Sequence, residues 1–539
     1  MGHSTTKSAL EATQVGRALS ALARRPLSLF LLLFTVTLLT RMAYFVVPHL
    51  GHDEPTYAAM ATRYLHGGLP YLDAVDHKPA GISVTYALIF ALCGEYNLLA
   101  VRIVFVAVIA LCGLLLAQLG KRLLGDERGW VAGLVYVLYS CVGIGSHHYP
   151  PDTELFLNLP LTAAALLVQT SLDRSSRDRS HGLLLLVAAG FLTGLAGAYK
   201  YQGAIAGAAW AMALLFNQRR VPQPWGIVTL RLASLMVGFA LFATLYLGYF
   251  VYHGIWSEFW FWGWGFNQHY LSTIEARESA WLALRALLVV GGSWLPLLLC
   301  FVVPSEKRLP GFVWVWLGLM LAVCGLGGRF FFSYFLMALP PLCLLTLPGF
   351  LALLDGQRGR IPHQLAVSVA LTLLLCTAFA IVAIRWVDIT PNGRREQTAA
   401  QAVGTYVRSH STPEDRIFVW GAAPEIYSFA HRVIGTRFVF CNYHTGKIWG
   451  GHLTDVDATD TDSHIIPRAW EQLMQDLQQH PPLFVVDSAA GRFDRFDRHP
   501  ITRYPQLAAL IRSSYDLVAV VSGVPIYRRH RGDAAQPSP

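Results

Sequence analysis

Two adjacent acids and a lysine stand out in the first polar loop of the chain. Asp53 and Glu54 directly follow an apolar segment, and Pro55 after them suits the first turn of a helix. Adjacent carboxylates on a helix point in different directions, so one can accept a proton while the other binds a metal or a substrate hydroxyl. Lys78, preceded by His77, provides a point charge of the kind that meets a phosphate. A helix cap and an ordinary snorkelling lysine are the simpler interpretations.

A second polar loop adds His148, Asp152 and Glu154. An acid at the start of an apolar segment is costly unless it has a partner, so Glu154 is a functional candidate. A carboxylate facing the first loop would let oxygen ligands bind a divalent metal, with His148 as a further ligand. No strong metal-ligand motif is present, so a metal ion and no cofactor at all both stay open.

Two further cations, Lys200 and Arg329, each lie at the end of an apolar segment. Either could clamp a phosphate or a pyrophosphate, and either could be an interfacial anchor. A tryptophan-rich stretch at 256–270 is most simply an aromatic interface belt, although aromatic faces also stack on sugars and isoprenoid chains.

The composition decides which class of protein must position these residues. Of the 539 residues, 54% are hydrophobic and only 14% are charged, against about 25% charged in ordinary soluble domains. This composition excludes a disordered chain and disfavours a single soluble domain. The net charge of +9 comes largely from short loops between apolar segments, which favours membrane topology over nucleic-acid binding. Seven of eight cysteines lie in apolar segments, and no CxxC motif is present.

Apolar segments of spanning length predict a polytopic α-helical membrane protein with about eleven transmembrane helices. They lie at 27–48, 98–120, 129–146, 153–171, 183–199, 203–217, 227–252, 280–303, 311–326, 333–354 and 364–386. The segment 80–95 is short, and we predict that it is re-entrant or interfacial. With that choice the basic clusters all fall on the side of the N-terminus, which the positive-inside bias places in the cytoplasm. The first loop (49–97) and everything after Trp386 then lie outside.

The last part of the chain is more polar, and it alternates between helix and strand patterns. Strands are expected at Arg416–Trp420, Leu483–Asp487, Leu517–Val521 and Pro525–Arg528, with helices between them. This predicts an extracytoplasmic α/β domain at 389–530, after a cytoplasmic tail at 1–26 and a transmembrane module at 27–388. Residues 531–539 are expected to form a flexible tail.

The first-loop residues resemble those of the GT-C glycosyltransferase superfamily. The similarity is strongest to the bacterial branch of the dolichyl-phosphate-mannose protein mannosyltransferases, which includes the lipid A aminoarabinose transferases. The residues that carry it are Asp53-Glu54, Tyr57, Gly68, Pro70-Tyr71, Asp73, Lys78-Pro79, Gly81, Arg102 and the Gly-Gly-Arg block at Arg329. Nearly the whole chain is covered, but this chain has Ser333-Tyr334 where many relatives have His-Tyr.

The resemblance implies a GT-C fold and roles for individual residues. Asp53 matches the general base, Glu54 a supporting or acceptor-contacting acid, and Lys78 the lysine that contacts the donor phosphate. Glu154, or else Asp152, matches the acid of the second outer loop. The change to Ser333 suggests a different acceptor.

The expected protein is a membrane glycosyltransferase of the bacterial inner membrane. It would move a hexose or pentose, with inversion, from a polyprenyl-phosphate donor to a hydroxyl of a glycolipid, polysaccharide or protein on the outer face. A transporter or flippase of a lipid-linked substrate and a non-catalytic envelope scaffold are the alternatives. The flippase predicts an internal repeat, which we do not find, and charges at mid-membrane depth.

Overall fold

The structure is a computed structural model of the full chain. It describes residues 24–142, 150–173, 179–268, 274–354, 391–447 and 461–530. Helices occur at all ten predicted apolar positions within those ranges, whereas the eleventh predicted segment, 364–386, lies outside them.

The apolar helices differ in length and regularity. Their bounds are Pro26–Thr40, Gly81–Cys93, Leu98–Leu124, Trp130–Tyr139, Thr153–Asp173, Arg179–Tyr199, Gly207–Arg220, Trp225–Tyr252, Ala276–Ser293, Leu295–Leu299, Gly311–Cys324 and Leu339–Leu354. The last is preceded by a 3₁₀ segment at Phe332–Ala338, and another 3₁₀ segment at Tyr201–Ala206 precedes Gly207–Arg220.

Five of these segments within the described ranges are long and apolar enough to cross a membrane. They are Leu98–Leu124, Thr153–Asp173, Ser180–Tyr199, Trp225–Tyr252 and Phe332–Leu353. The segment predicted at 280–303 forms two helices that meet at an angle of 73°, and it would be a sixth if the pair is one broken span. Pro296 opens the second helix, where a proline interrupts regular hydrogen bonding. Gly81–Cys93 has only 13 residues, fewer than the roughly 20 that a perpendicular span needs.

The C-terminal domain contains the expected mixed α/β sheet. Its strands are β1 Arg416–Trp420, β2 Val433–Ile434, β3 Phe484–Asp487, β4 Tyr515–Val521 and β5 Val524–Arg529. The sheet order is β2-β1-β3-β5-β4, with β1 parallel to β2 and β3, and β5 antiparallel to β3 and β4. Helices Pro391–Ser409, Glu425–Ala430, Asn442–Thr445, Ala469–Gln479 and Pro505–Ser514 accompany it. β1 and β3 are almost wholly buried, which agrees with their continuous apolar sequences.

The chain divides into two compact units. The helical unit comprises Met1–Val46, Arg102–Val251 and Ser279–Ile384. The sheet unit comprises Val47–Val101, Tyr252–Glu278 and Arg385–Pro539. The first loop and the tryptophan-rich loop therefore fold together with the C-terminal sheet, although the sheet begins more than 300 residues after the first loop and about 150 residues after the tryptophan-rich loop.

Candidate active site

The first-loop acids begin a helix at Asp53–Leu65. Both lie in its first turn, where unpaired backbone N–H groups and the helix dipole favour negative charge. Glu54 is fully buried, and its Oε2 accepts a hydrogen bond of 3.0 Å from the backbone N–H of Leu50. Asp53, in contrast, has a side chain that is 47% exposed. The two adjacent carboxylates thus have different surroundings, as their positions on the helix predicted.

Lys78 folds back onto this helix. Its Nζ donates to Asp53 Oδ1 at 2.8 Å and to the hydroxyl of Tyr57 at 2.8 Å. Asp53 and Tyr57 are four residues apart, so they lie on one face of the helix and can share the same partner. The lysine side chain keeps 29% of its surface exposed. The base candidate and the phosphate-contact candidate are therefore in direct contact with each other.

The groups around Lys78 favour its protonated, positively charged form. Burial disfavours the ammonium, but Asp53, Tyr57 and Asp76 outweigh that effect and raise the pKa of Lys78 well above its usual value. Burial likewise favours the neutral form of Asp76, yet hydrogen bonds from His77 and the charge of Lys78 lower the pKa of Asp76. The lysine consequently carries its positive charge at every physiological pH.

Contacts within the sheet unit fix the loop that carries Lys78. The hydroxyl of Tyr71 donates to the backbone carbonyl of Lys78 at 3.0 Å. The backbone N–H of Val75 donates to the carbonyl of Arg437, next to the C-terminal sheet, at 2.8 Å. Asn267 Nδ2, from the tryptophan-rich loop, donates to the carbonyl of His77 at 3.2 Å. Three separate parts of the chain therefore hold the lysine loop in place.

A second group of the same residue types lies in the helical unit. Glu154 begins the helix Thr153–Asp173 and accepts a hydrogen bond from Lys200 Nζ. Lys200 Nζ also lies 3.4 Å from the centre of the Tyr334 ring, a cation–π arrangement. Ser333 Oγ donates to Glu154 Oε1 at 3.4 Å. Serine, the residue that departs from the pattern of the resembling family, therefore contacts Glu154 directly.

The other candidates of the helical unit are also buried. Arg329 is 2% exposed and precedes the 3₁₀ segment Phe332–Ala338, while Asp152 is 5% exposed and lies next to the helix of Glu154. His148 lies outside the described residues. Within the described ranges, no three His, Cys, Asp or Glu side chains form a group that could bind a metal ion.

Sequence reasoning gave no separate role to the two tyrosines that contact the lysines. The four-residue spacing between Asp53 and Tyr57 was a usable signal for the first, since it places both on one helix face. Tyr334 lies well over a hundred residues from Lys200, and no local spacing connects them. No local spacing connects Glu154 with Lys200 either.

Comparison with known proteins gives three results. Residues 77–247 match the model of the dolichyl-phosphate-mannose-protein mannosyltransferase family. The crystal structure of ArnT from Cupriavidus metallidurans bound to undecaprenyl phosphate is similar, with a TM-score of 0.58 and 12% identity over 96% of this chain and 99% of that chain. The Archaeoglobus fulgidus oligosaccharyltransferase AglB, in complex with an inhibitory peptide and a dolichol-phosphate, gives a TM-score of 0.48 and 12% identity over 94% and 74%.

No curated protein sequence matches the chain. At 12% identity the likeness to ArnT is one of fold, and it extends over almost all of both chains. The family match is independent of that likeness, and it covers Lys78, Glu154 and Lys200. Residues 77–247, about a third of the chain, therefore resemble the dolichyl-phosphate-mannose-protein mannosyltransferase family, and the chain as a whole has a fold similar to that of ArnT.

Proposed function

We propose that the protein transfers a monosaccharide from a polyprenyl-phosphate donor to an acceptor hydroxyl at the outer face of the bacterial inner membrane. The observation that carries the proposal is the contact of Lys78 with both Asp53 and Tyr57 at the start of a helix. An accessible carboxylate and a permanently charged lysine lie side by side there. A phosphate-linked sugar requires that combination, because the acceptor must lose a proton while negative charge develops on the leaving phosphate.

In the proposed reaction, Asp53 accepts the proton of the acceptor hydroxyl. The acceptor oxygen attacks the anomeric carbon from the face opposite the phosphate. The bond between the anomeric carbon and the phosphate oxygen breaks, so the product is inverted and polyprenyl phosphate leaves. Lys78 stabilises the charge on the departing phosphate. Hexosyl and pentosyl donors fit this scheme equally.

Glu54 is proposed to support Asp53 rather than to react. It is buried, and its carboxylate bonds to the Leu50 backbone, which fixes the first turn of the helix that presents Asp53. In the helical unit, Lys200 and Arg329 remain candidates for further donor contacts, and Glu154 or Asp152 for the acceptor or a metal. Lys200 is already paired with Glu154, so Lys78 is the main phosphate contact in this proposal.

The function can be tested by transfer from radiolabelled polyprenyl-phosphate sugars, with the purified full chain and an envelope extract as acceptor. We expect label to move from a subset of donors into the extract. Lys78→Met should raise the KM for the donor about tenfold or more, since a charged contact to phosphate is lost. Lys121→Met is the matched control, because Lys121 is another partly exposed, salt-bridged lysine, in the helical unit.

Two further measurements decide whether a metal takes part and whether the protein is a flippase. EDTA added to the assay decides whether a divalent metal takes part, because only a metal-dependent transfer would stop. Movement of intact donor across reconstituted vesicles, with no label entering any acceptor, would favour the flippase over the transferase. Normal transfer by Lys78→Met would contradict the assigned phosphate contact.

A further inference from the structure

Three tryptophans form an exposed row in the sheet unit. Trp256, Trp260 and Trp264 are 40%, 52% and 46% exposed. Their rings lie in sequence, with centroids 6.0 Å apart between the first pair and 6.3 Å apart between the second. We call this row the tryptophan ladder. Exposed large aromatic side chains are uncommon on water-facing surfaces, so a contiguous row of three indicates a partner.

The backbone of this segment aligns the ladder. It begins as an α-helical turn at Trp256–Glu258 and continues as a π-helix at Phe259–Gly265. A spacing of four residues is slightly more than one turn of an α-helix and slightly less than one turn of the wider π-helix. The angular offsets in the two parts of the segment therefore have opposite signs, and rings at every fourth position stay on one face.

The opposite face of the same segment is anchored within the sheet unit. Trp262 is fully buried, with its ring 5.2 Å from that of Tyr443. Phe266 packs on Tyr443 at 5.3 Å and on His77 at 5.3 Å. The ladder is therefore carried on a support that contacts both the C-terminal domain and the neighbour of Lys78.

The acidic side chain of this segment is largely buried and paired. Glu258 is the acid of this segment, and its side chain is only 13% exposed. It accepts from Arg468 Nη2 and from Gln472 Nε2, each at 3.4 Å, beside the helix Ala469–Gln479. The acid of this segment is therefore held in contacts with the C-terminal domain, and the three exposed tryptophan rings contribute apolar surface with an indole N–H on each.

Chain connectivity indicates what the ladder meets. Only three residues lie between the end of the candidate span Trp225–Tyr252 and Trp256, so the ladder starts close to a membrane surface. Another apolar helix, Ala276–Ser293, follows. Indole rings, apolar with one N–H donor, favour the headgroup region between hydrocarbon and water.

We infer that the tryptophan ladder inserts into the lipid headgroup region and anchors the sheet unit to the bilayer surface. The partner is thus the lipid–water interface itself. Because the supporting face contacts His77, the anchor also fixes the height of the adjacent Lys78 at the membrane. A consequence for donor binding rests on the proposed function, whereas the anchoring does not.

The test is fluorescence quenching of the full chain in nanodiscs that contain lipids brominated near the headgroup or near the acyl-chain ends. Replacing Trp260 by Phe, and then all three ladder residues by Phe, should remove emission that the headgroup-proximal bromines quench. The matched control is Trp262→Phe, which alters the buried face of the same segment and should remove emission that neither bromolipid quenches.

Several outcomes would overturn the inference. Ladder emission that is quenched by aqueous iodide and not by bromolipid would mean that the row faces water. Emission quenched only by bromines near the acyl-chain ends would place the row in the hydrocarbon core. A shift of ladder emission by soluble oligosaccharide, without bromolipid quenching, would assign the row to a glycan. None of these measurements needs the donor, so failure of the transferase proposal would leave the anchoring result intact.

A second readout concerns the donor. Trp260→Ser should raise the KM for a polyprenyl-phosphate sugar severalfold and leave the KM of a soluble donor analogue unchanged. A merely structural loss would alter both.

Discussion

Asp53–Lys78–Tyr57 in the sheet unit and Glu154–Lys200–Tyr334 in the helical unit use the same residue types with opposite degrees of burial. In the first group the acid is 47% exposed and the lysine 29%, and the tyrosine contributes its hydroxyl. In the second the acid is 4% exposed and the lysine 13%, and the tyrosine contributes its ring face.

The difference in burial separates two kinds of ion pair. A partly exposed pair exchanges partners at lower cost than a buried one, so a substrate phosphate could compete with Asp53 for Lys78. A desolvated pair is costly to break, because the remaining charge has no water around it. In the proposed function, the more exposed first group suits turnover, whereas the buried second group suits holding charge and shape. Four predictions test that division.

The largest expected effect is on transfer by Asp53→Asn. The change keeps the shape of the side chain but removes the proton acceptor, so activity should fall by about 10²–10⁴-fold while the protein stays folded. Transfer rate and thermal unfolding would be measured together. Glu95→Gln, which alters another exposed carboxylate of the sheet unit, is the control and should retain activity. Wild-type activity in a folded Asp53→Asn protein would remove Asp53 from its proposed role.

The second effect is on stability and belongs to Glu154. Glu154→Gln leaves Lys200 charged in a buried setting, so the free energy of unfolding should fall by about 3–5 kcal/mol. Thermal unfolding in detergent would show the loss, and it should be much larger than the change for Asp53→Asn. Adding Lys200→Met should recover most of it. Equal stability changes at Glu154 and Asp53 would abolish the distinction between the two groups.

Replacing each of the two tyrosines by phenylalanine should affect the two groups differently. Tyr57→Phe removes a hydroxyl that bonds to Lys78, and a hydrogen bond to a charged group contributes about 1.5–3 kcal/mol when well shielded. Since the group is partly exposed, we expect a rise in donor KM of about fivefold. Tyr334→Phe keeps the ring face under Lys200, so the change should stay below about twofold. The reverse order would contradict the assignment of hydroxyl and ring contacts.

The smallest effect is a pH shift caused by His52, the neighbour of Asp53. Burial lowers the pKa of His52, but Asp494, Glu425 and Asp53 outweigh it, and the net pKa is raised. Its imidazolium therefore stabilises the fold at acid pH, and this contribution disappears as pH rises through the raised pKa. While protonated it also favours ionised Asp53.

His52→Gln removes that charge, so Asp53 should take up a proton at a higher pH. The acid limb of the pH–rate profile should move to higher pH, with a loss of about twofold at a fixed acidic pH. Transfer rates over a pH series would show it. A shift to lower pH, or none, would mean that His52 does not act on the base.

Much of the fold was predictable because its signals are local. β1 was predicted with its observed bounds, and β3, β4 and β5 differ from their predictions by one or two residues at one or both ends. β2 was missed because two residues carry no periodicity. The bend at Pro296 was also missed, since the apolar content of 280–303 indicates length but not direction, although Pro296 is itself a helix-breaking signal.

The features of the site also separate into those that local sequence predicts and those that depend on long-range folding. The candidacy of Asp53 and Lys78 followed from their residue types and positions beside apolar segments, but their contact with each other depends on how the loop folds back. The pairing of Glu154 with Lys200 and Ser333 joins distant segments, which a single sequence does not reveal. That the first loop folds with the C-terminal sheet was not expected either, because hydropathy orders the segments along the chain and says nothing about their partners.

The bond from Val75 to Arg437 has a consequence for biosynthesis. About 360 residues lie between the two, and a ribosome adds roughly 5–20 residues per second. The loop that carries Lys78 therefore waits on the order of 20–70 s, after its own translation, for the strand region that completes its support. During that interval the loop that carries Lys78 lacks its hydrogen bond to Arg437. A chain cut short before Arg437 would never gain that bond, so the loop that carries Lys78 would lack one of its three supports.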